Sequence, residues 1–229
     1  MLVKLLHYTP DPEGAIALAA RLCYSPVSIE ALQEKLSGGD IKGFLEKIMS
    51  LGHQSVLEHA SFTFGIEGVS RVTTHQLVRH RIASFSQQSQ RYVSHKEQFS
   101  AVIPPTIQDY PEMKERFAEQ LQSLHTFYAD MVEAGIPAED ARYILPNATE
   151  TKIMVTMNAR EMLHFFRLRC CKRAQWEIRT MSLEMLKLMK RVAPTIFRDS
   201  GPGCLGGSCP EGRMTCGKIK EVLEFFRAL

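Results

Sequence analysis

The chain has 229 residues and a mass of 25.9 kDa, enough to bury a sizeable core unaided, which excludes the small disulfide-stapled scaffolds. Its 45% hydrophobic and 23% charged residues exclude the disordered and fibrous classes, and a formal net charge of +3 is too small to mark a nucleic-acid binder. No apolar run approaches the roughly 20 residues of a membrane span, and MLVKLLHYTPDPEGA meets acidic and turn residues before any signal-like stretch forms, so a cytoplasmic protein with no membrane partner is expected.

The opening VKLLHY predicts a short strand, and DPEGAIALAARLCY, with an acidic first turn and helical apolar spacing, a helix. A second helix is predicted from about Ile41 to Leu51, closed by Gly52. From Ser61 to Glu67 the period changes, and Phe62, Phe64 and Ile66 alternate as on a strand with one buried face. Helical spacing returns from Arg71 to Arg81, while Ser84 to Ser94 is polar and aperiodic, which predicts a loop or short extended segment. Pro111 to Ala134 carries Met113, Phe117, Leu121, Leu124, Tyr128, Met131 and Val132 at intervals of three and four, a long amphipathic helix ended by Gly135. Thr149 to Met157 is strand-like, Arg160 to Leu168 and Ala174 to Val192 are helical, Pro194 stops the last of these, and a short helix is expected at Ile219 to Ala228. The fold class is therefore α+β, a small and mostly antiparallel sheet surrounded by helices. Without a repeat or linker, a single catalytic domain is expected over 1–198, followed by a tail over 199–229 that contains cysteine, glycine and a short helix.

Charge is unevenly distributed. From Gly68 to Lys96 there is no acidic residue against the five cations Arg71, Arg79, Arg81, Arg91 and Lys96, and Lys152 to Trp176 sets six cations against Glu161 alone. Arg79-His80-Arg81, followed by Ser84, Ser86, Gln87, Gln88, Ser89, Gln90 and Arg91, offers guanidinium forks that match phosphate and amides that can fix a planar heterocycle, so a nucleotide is the simplest ligand with both parts. The alternative is a solvated basic loop. Arg169 follows Phe165, Phe166 and Leu168, so a helix packed on the core should carry it, and its guanidinium needs an anionic or strongly accepting partner, or an internal ion pair with Glu58 or Glu177.

His53 and His59, six apart, and His75 and His80, five apart, lack the spacing of a helical zinc pair and read as core or supporting histidines. The cysteines are Cys23, Cys170, Cys171, Cys204, Cys209 and Cys216, and without an export signal they should be reduced thiols. The late C-x4-C-x6-C spacing lacks the paired C-x-x-C of zinc knuckles, and no metal is expected. No G-x-S-x-G, P-loop or G-x-G-x-x-G occurs.

The run Arg79-His80-Arg81-Ile-Ala-Ser84-Phe-Ser-Gln87-Gln-Ser89-Gln-Arg91 resembles the signature of the flavin-dependent thymidylate synthases, R-H-R, two variable positions, Ser, then a polar run ending in S-x-R. The resemblance takes in GHQSVLEHASFTF, Ala141-Arg142-Tyr-Ile-Leu-Pro146, Asn158-Ala-Arg160, Arg169 and Ala174-Gln175-Trp176-Glu177, covering roughly residues 14 to 195. It implies that family's fold, and an enzyme making dTMP from dUMP with carbon from 5,10-methylenetetrahydrofolate and hydride from FAD that NADPH has reduced. It further implies that Ser55, Arg79, His80, Arg81, Gln87, Asn158, Arg160 and His164 contact FAD. Gln76, Arg79, Gln87, Ser89, Arg91, Arg142 and Arg169 would hold dUMP, with Arg169 as the activating, catalytic residue. A homotetramer with active sites at subunit interfaces is implied as well. The chain departs from the family pattern at Ser86-Gln87, where Asn-Glu is usual, at His164 for an Asn and at Ser55 for a Thr. Two other classes stay open on the residues alone: a single-strand or RNA-binding module stacking bases on Phe85 and Tyr92, and a thiol-based redox or zinc protein using Cys204, Cys209 and Cys216. The dTMP-forming reading expects a mononucleotide and no nucleic-acid polymer as partner.

Overall fold

The computed structural model describes residues 1–37, 39–93 and 99–229, and only the backbone of Ser37. In chain order its elements are β1 (Leu2–Tyr8), α1 (Pro12–Leu22), α2 (Ile29–Ser37), α3 (Ile41–Ser50), β2 (Ser61–Ser70), α4 (Arg71–Leu77) and β3 (Ala83–Gln87). There follow α5 (Pro105–Gln108), α6 (Pro111–Glu133), α7 (Ala138–Ala141), β4 (Glu150–Asn158), α8 (Ala159–Arg169), α9 (Trp176–Val192), α10 (Pro194–Phe197) and α11 (Ile219–Ala228). The strands form one antiparallel sheet in the order β1-β2-β4-β3, so the expected α+β class holds. No helix among the described residues is long and apolar enough to cross a membrane.

Contacts divide the chain into two compact units. The first comprises Met1–Leu2, Ile66–Arg79 and Phe85–Met154, the second Val3–Gly65, His80–Ser84 and Val155–Leu229. In the second, α1 packs on α3 and on the 3-10 turn Ser55–His59, and α8 packs on α9. Its core is dense with rings: Phe62, Phe165, Phe166 and Phe197 are fully buried, with edge-to-face contacts such as Phe166 on Phe197 at 5.9 Å. Burying each such side chain contributes roughly 1.5 to 3 kcal/mol. Across β2 and β4, Thr63 Oγ1 and Thr156 Oγ1 meet at 2.9 Å, which pins the register. The first unit has a smaller core that includes Ile66, Val69, Leu77, Phe99, Tyr128 and Ile153.

Two helices start directly from strand ends, and side-chain caps fix where. Ser70 Oγ accepts from Thr73 N at 3.2 Å to open α4, and Asn158 Oδ1 accepts from Glu161 N at 2.9 Å to open α8. Gln175 caps α9 through Oε1, which accepts from Glu177 N and Ile178 N at 3.0 and 3.1 Å. Gly52, at φ 72, takes the left-handed conformation that ends α3.

The structure departs from the sequence reading in several places. The helix expected from Arg71 to Arg81 ends at Leu77, because Val78 N already turns back to the Thr74 and Gln76 carbonyls. The polar stretch from Ser84, expected as a loop or short extended segment, takes the extended form at its start, within strand β3, whose pairing continues in Gln88 N donating to Lys152 O at 3.0 Å. Its last expected residue, Ser94, and the cation Lys96 lie outside the described residues. Helix α2, anchored by buried Leu32 and Leu36, had no counterpart in the sequence reading. In α6, only Tyr128 of the expected apolar stripe is fully buried.

Candidate active site

The second unit holds a hydrogen-bonded relay. Helix α8 carries Glu161 in its first turn, where a carboxylate suits the helix dipole, and Arg169 at its last residue. His80, from the segment after α4, lies between them: Nδ1 meets Glu161 Oε1 at 2.9 Å, and Nε2 accepts from Arg169 Nε at 3.1 Å. A guanidinium Nε only donates, so Nε2 must be unprotonated and the ring proton must sit on Nδ1, donated to the carboxylate. The relay thus holds a neutral imidazole of defined tautomer. Burial pushes the His80 pKa below its ordinary value; the Glu161 bond opposes this, and the charges of Arg169 and His164 add to it. Phe165 packs edge-on against the imidazole at 5.0 Å. His80 and Glu161 are 4% and 6% exposed, so the exchange occurs away from solvent.

Potential ligand atoms of His80, Glu161 and His164 lie within 4.8 Å of one another. Both nitrogens of His80 are already engaged and Arg169 donates into the group, so the set suits a proton-ordered relay better than a cation. The partner foreseen for Arg169 was a carboxylate or another strong acceptor; this bond goes to an imidazole, and Glu58 pairs with Arg160 at 2.5 Å.

Beside the relay is a cleft of about 500 Å³ lined by Gln54, Ile82, Asn158, Arg160, Glu161, His164 and Arg167. A second hollow of about 420 Å³ shares Gln54 and Arg160 and includes Ser55, Tyr24 and His53. Four of the flavin-directed residues, Ser55, Asn158, Arg160 and His164, therefore border two neighbouring hollows. Their chemistry fits a dinucleotide: cations for a pyrophosphate, amides for ring edges, and Ile82, 68% exposed, as an apolar platform. The Arg160–Glu58 pair is half exposed on both sides, worth up to about 1 kcal/mol, and can open for a ligand. Arg81 is exposed in the same unit. Of the histidines read as core or supporting residues, only His80 is buried; His53, His59 and His75 are exposed, so the core alternative does not hold for these three. His53 instead stacks on Tyr24, with ring centroids 6.4 Å apart.

The first unit holds the remaining predicted residues: Gln76 on α4, the exposed Arg79 after it, Gln87 ending β3, and Ser89, Arg91 and Arg142. Gln87 Nε2 donates to Thr74 Oγ1 at 3.0 Å and Thr151 Oγ1 at 3.4 Å. Ser89 Oγ accepts from Arg91 N at 3.0 Å, shaping the turn. Glu139 ties two arginines together, its Oε2 2.5 Å from Arg91 Nε and its carbonyl accepting from Arg142 Nε at 3.0 Å. A further guanidinium, Arg71, which the sequence reading did not single out as a ligand contact, lies near enough to Arg142 to feel its charge. Arg71 donates to Gln88 O at 2.8 Å, its buried Nε has no partner among the described residues, and burial followed by the charge of Arg142 lowers its pKa. Two cations this close favour an anion with several acceptor atoms. The signal in the sequence was its place in the acid-free run; Glu161 was visible only as the lone acid of the second basic stretch.

Residues 4–195 match the model of the thymidylate synthase complementing protein family. The flavin-dependent thymidylate synthase of Geobacter sulfurreducens is 63% identical over 230 residues, covering 100% of this chain and 99% of the relative. The chain belongs to the flavin-dependent thymidylate synthase family. Similar proteins of that name include those of Clostridium tetani, 51% identical over 98% of this chain and 96% of its own, and of Pyrococcus horikoshii, 46% identical over 99% and 97%. Membership of the flavin-dependent thymidylate synthases favours the enzyme over the strand-binding module and the thiol-based protein, and names a flavin as the family's cofactor.

Proposed function

We propose that this protein is a cytoplasmic enzyme that reductively methylates dUMP to dTMP, with 5,10-methylenetetrahydrofolate as carbon donor and NADPH as the source of the hydride, delivered through FAD. In the electron balance, the methylene carbon gains one hydride, and because NADPH supplies it the folate leaves as tetrahydrofolate. The observation that carries this reading is the Arg169 guanidinium bonded through Nε to a neutral, buried imidazole whose carboxylate partner lines the flavin-directed cleft.

In this reading Arg169 faces the uracil imide and favours its ionised form, which raises electron density at C5 so that this carbon attacks the folate methylene without an enzyme thiolate. His80 and Glu161 hold Arg169 in place. Gln76, Arg79, Gln87, Ser89, Arg91 and Arg142 bind the nucleotide, its phosphate meeting the arginines once Arg91 leaves Glu139. Ser55, Arg79, His80, Arg81, Gln87, Asn158, Arg160 and His164 orient the flavin, which when bound supplies the hydride. A homotetramer with its active sites at subunit interfaces agrees with α6, a 23-residue helix on which Phe127 and Met113 remain 54% and 46% exposed. The catalytic region is 1–198, consistent with the family match ending at residue 195, and 199–229 is an appended tail.

Purified protein should be yellow and bleach with NADPH, and it should release tritium from 5-tritiated dUMP only when the folate is present. Colourless protein that neither takes up FAD nor releases tritium would remove the proposal.

A further inference from the structure

The tail has a construction that the catalytic reading leaves unused. From Gly206 to Lys218 every residue is exposed except Cys209 and Cys216. Cys204 just before them is 7% exposed, and the thiols of Cys171, Cys209 and Cys216 all lie near enough to act electrostatically on it. Two 3-10 turns, Gly203–Gly206 and Gly212–Met214, curl the segment, with Gly207 and Gly217 at φ 106 and 71 beside the two inward cysteines. The tail is laid on the turn after α8: the Arg173 guanidinium donates to Met214 O, and Lys172 Nζ meets Glu221 at 2.6 Å. In that turn Arg173 N donates to Cys171 Sγ at 3.5 Å.

Apolar burial does not explain this order. Beyond Cys204, the only residues of the segment that reach full burial are Val222 and Phe226, both on α11. Small units with so little core are held by disulfides or metals. All four thiols are free. Their neighbours in sequence are basic, Lys172 and Arg173 after Cys171 and Arg213 and Lys218 around Cys216, which suits accumulated thiolate charge.

We propose that Cys171, Cys204, Cys209 and Cys216 are the four ligands of a structural zinc ion that fastens the tail to the turn after α8. Thiolates select zinc among the common divalent ions, and four protein ligands leave no open position, so the site is structural rather than catalytic. Uptake of one zinc ion by four thiols releases four protons and changes no oxidation state; the resulting local charge of two negatives is offset by the neighbouring basic side chains. No three of these sulfurs lie within 4.8 Å of one another, so binding requires the Cys209 and Cys216 side chains of the exposed loop to rotate towards the buried Cys204 and towards Cys171 in the turn after α8. Cys170 is excluded because its thiol meets Ser182 Oγ at 3.4 Å on α9. The sequence spacing hid the site because one ligand comes from a turn more than 30 residues before the other three.

The test uses the full chain, purified without chelator or metal-affinity resin. Elemental analysis should find about one zinc per chain, and cobalt(II) added to stripped protein should give the intense near-ultraviolet thiolate band and the visible bands of four-coordinate cobalt. Cys209→Ser/Cys216→Ser should lose both metal and bands. Zinc below roughly a tenth per chain together with absent cobalt–thiolate bands in the unmutated protein overturns the proposal, without reference to whether any variant folds. An intact mass lower by about two daltons per disulfide, showing the sulfurs paired, also overturns it. So does metal that survives the double cysteine change but is lost in His164→Ala.

Discussion

Replacing Glu161 with Gln tests the relay at its buried end. The carboxylate accepts from His80 Nδ1 at 2.9 Å, and that bond keeps Nε2 free to accept from Arg169. A glutamine preserves size but can also donate to Nδ1, which would move the ring proton to Nε2 and set it against the Arg169 donor. The bond lost is charge-assisted and buried, worth about 1.5 to 3 kcal/mol. If the full amount appears in the transition state for methyl transfer, kcat falls roughly tenfold to 150-fold, at 1.36 kcal/mol per factor of ten. Flavin reduction by NADPH and the KM for dUMP should change less than kcat, since Glu161 acts on Arg169 through His80 and is not itself assigned to either ligand. The assay pairs steady-state tritium release from 5-tritiated dUMP with single-turnover bleaching of the flavin, with circular dichroism to confirm the fold. The pH profile supplies a second reading. Burial holds the folded His80 pKa below 6.5, whereas the unfolded chain takes up its proton near 6.5, so between these two values the unfolded state binds more protons. The stability from neutral His80 is therefore complete above about 6.5 and is lost as pH falls towards the folded pKa, and the relay's acid limb should lie in that same window. Wild-type turnover in Glu161→Gln, or equal loss of both half-reactions, would refute the relay.

Arg169→Ala should abolish tritium release while leaving NADPH oxidation largely intact, measured on the same preparation. Arg91→Ala should weaken dUMP binding about tenfold to 150-fold by isothermal titration, equivalent to roughly 1.5 to 3 kcal/mol for one phosphate-directed bond; an unchanged Kd would remove Arg91 from the site. Burial pushes the Cys170 thiol up to about 12, so in native protein at pH 8 iodoacetamide should label exposed Cys23 and spare Cys170, as read by peptide mass spectrometry.

The sequence alone carried what is decided within a few residues. The alternation of Phe62, Phe64 and Ile66, the helical periods of α1, α3, α8 and α9, and the terminators Gly52 and Pro194 follow from local backbone geometry, and all reappear in the fold. The ordered R-H-R signature likewise lies in one short run. Tertiary structure decided what depends on partners far along the chain. Strand β3 has polar side chains and little periodicity, and it is a strand because β4, more than 60 residues later, pairs with it. The polarity of the relay was equally hidden: His80 stands 81 residues from Glu161 and 89 from Arg169, and only folding sets the tautomer that joins them. Hydrogen-bond direction and desolvation arise from three-dimensional proximity, whereas propensity and caps act along the chain.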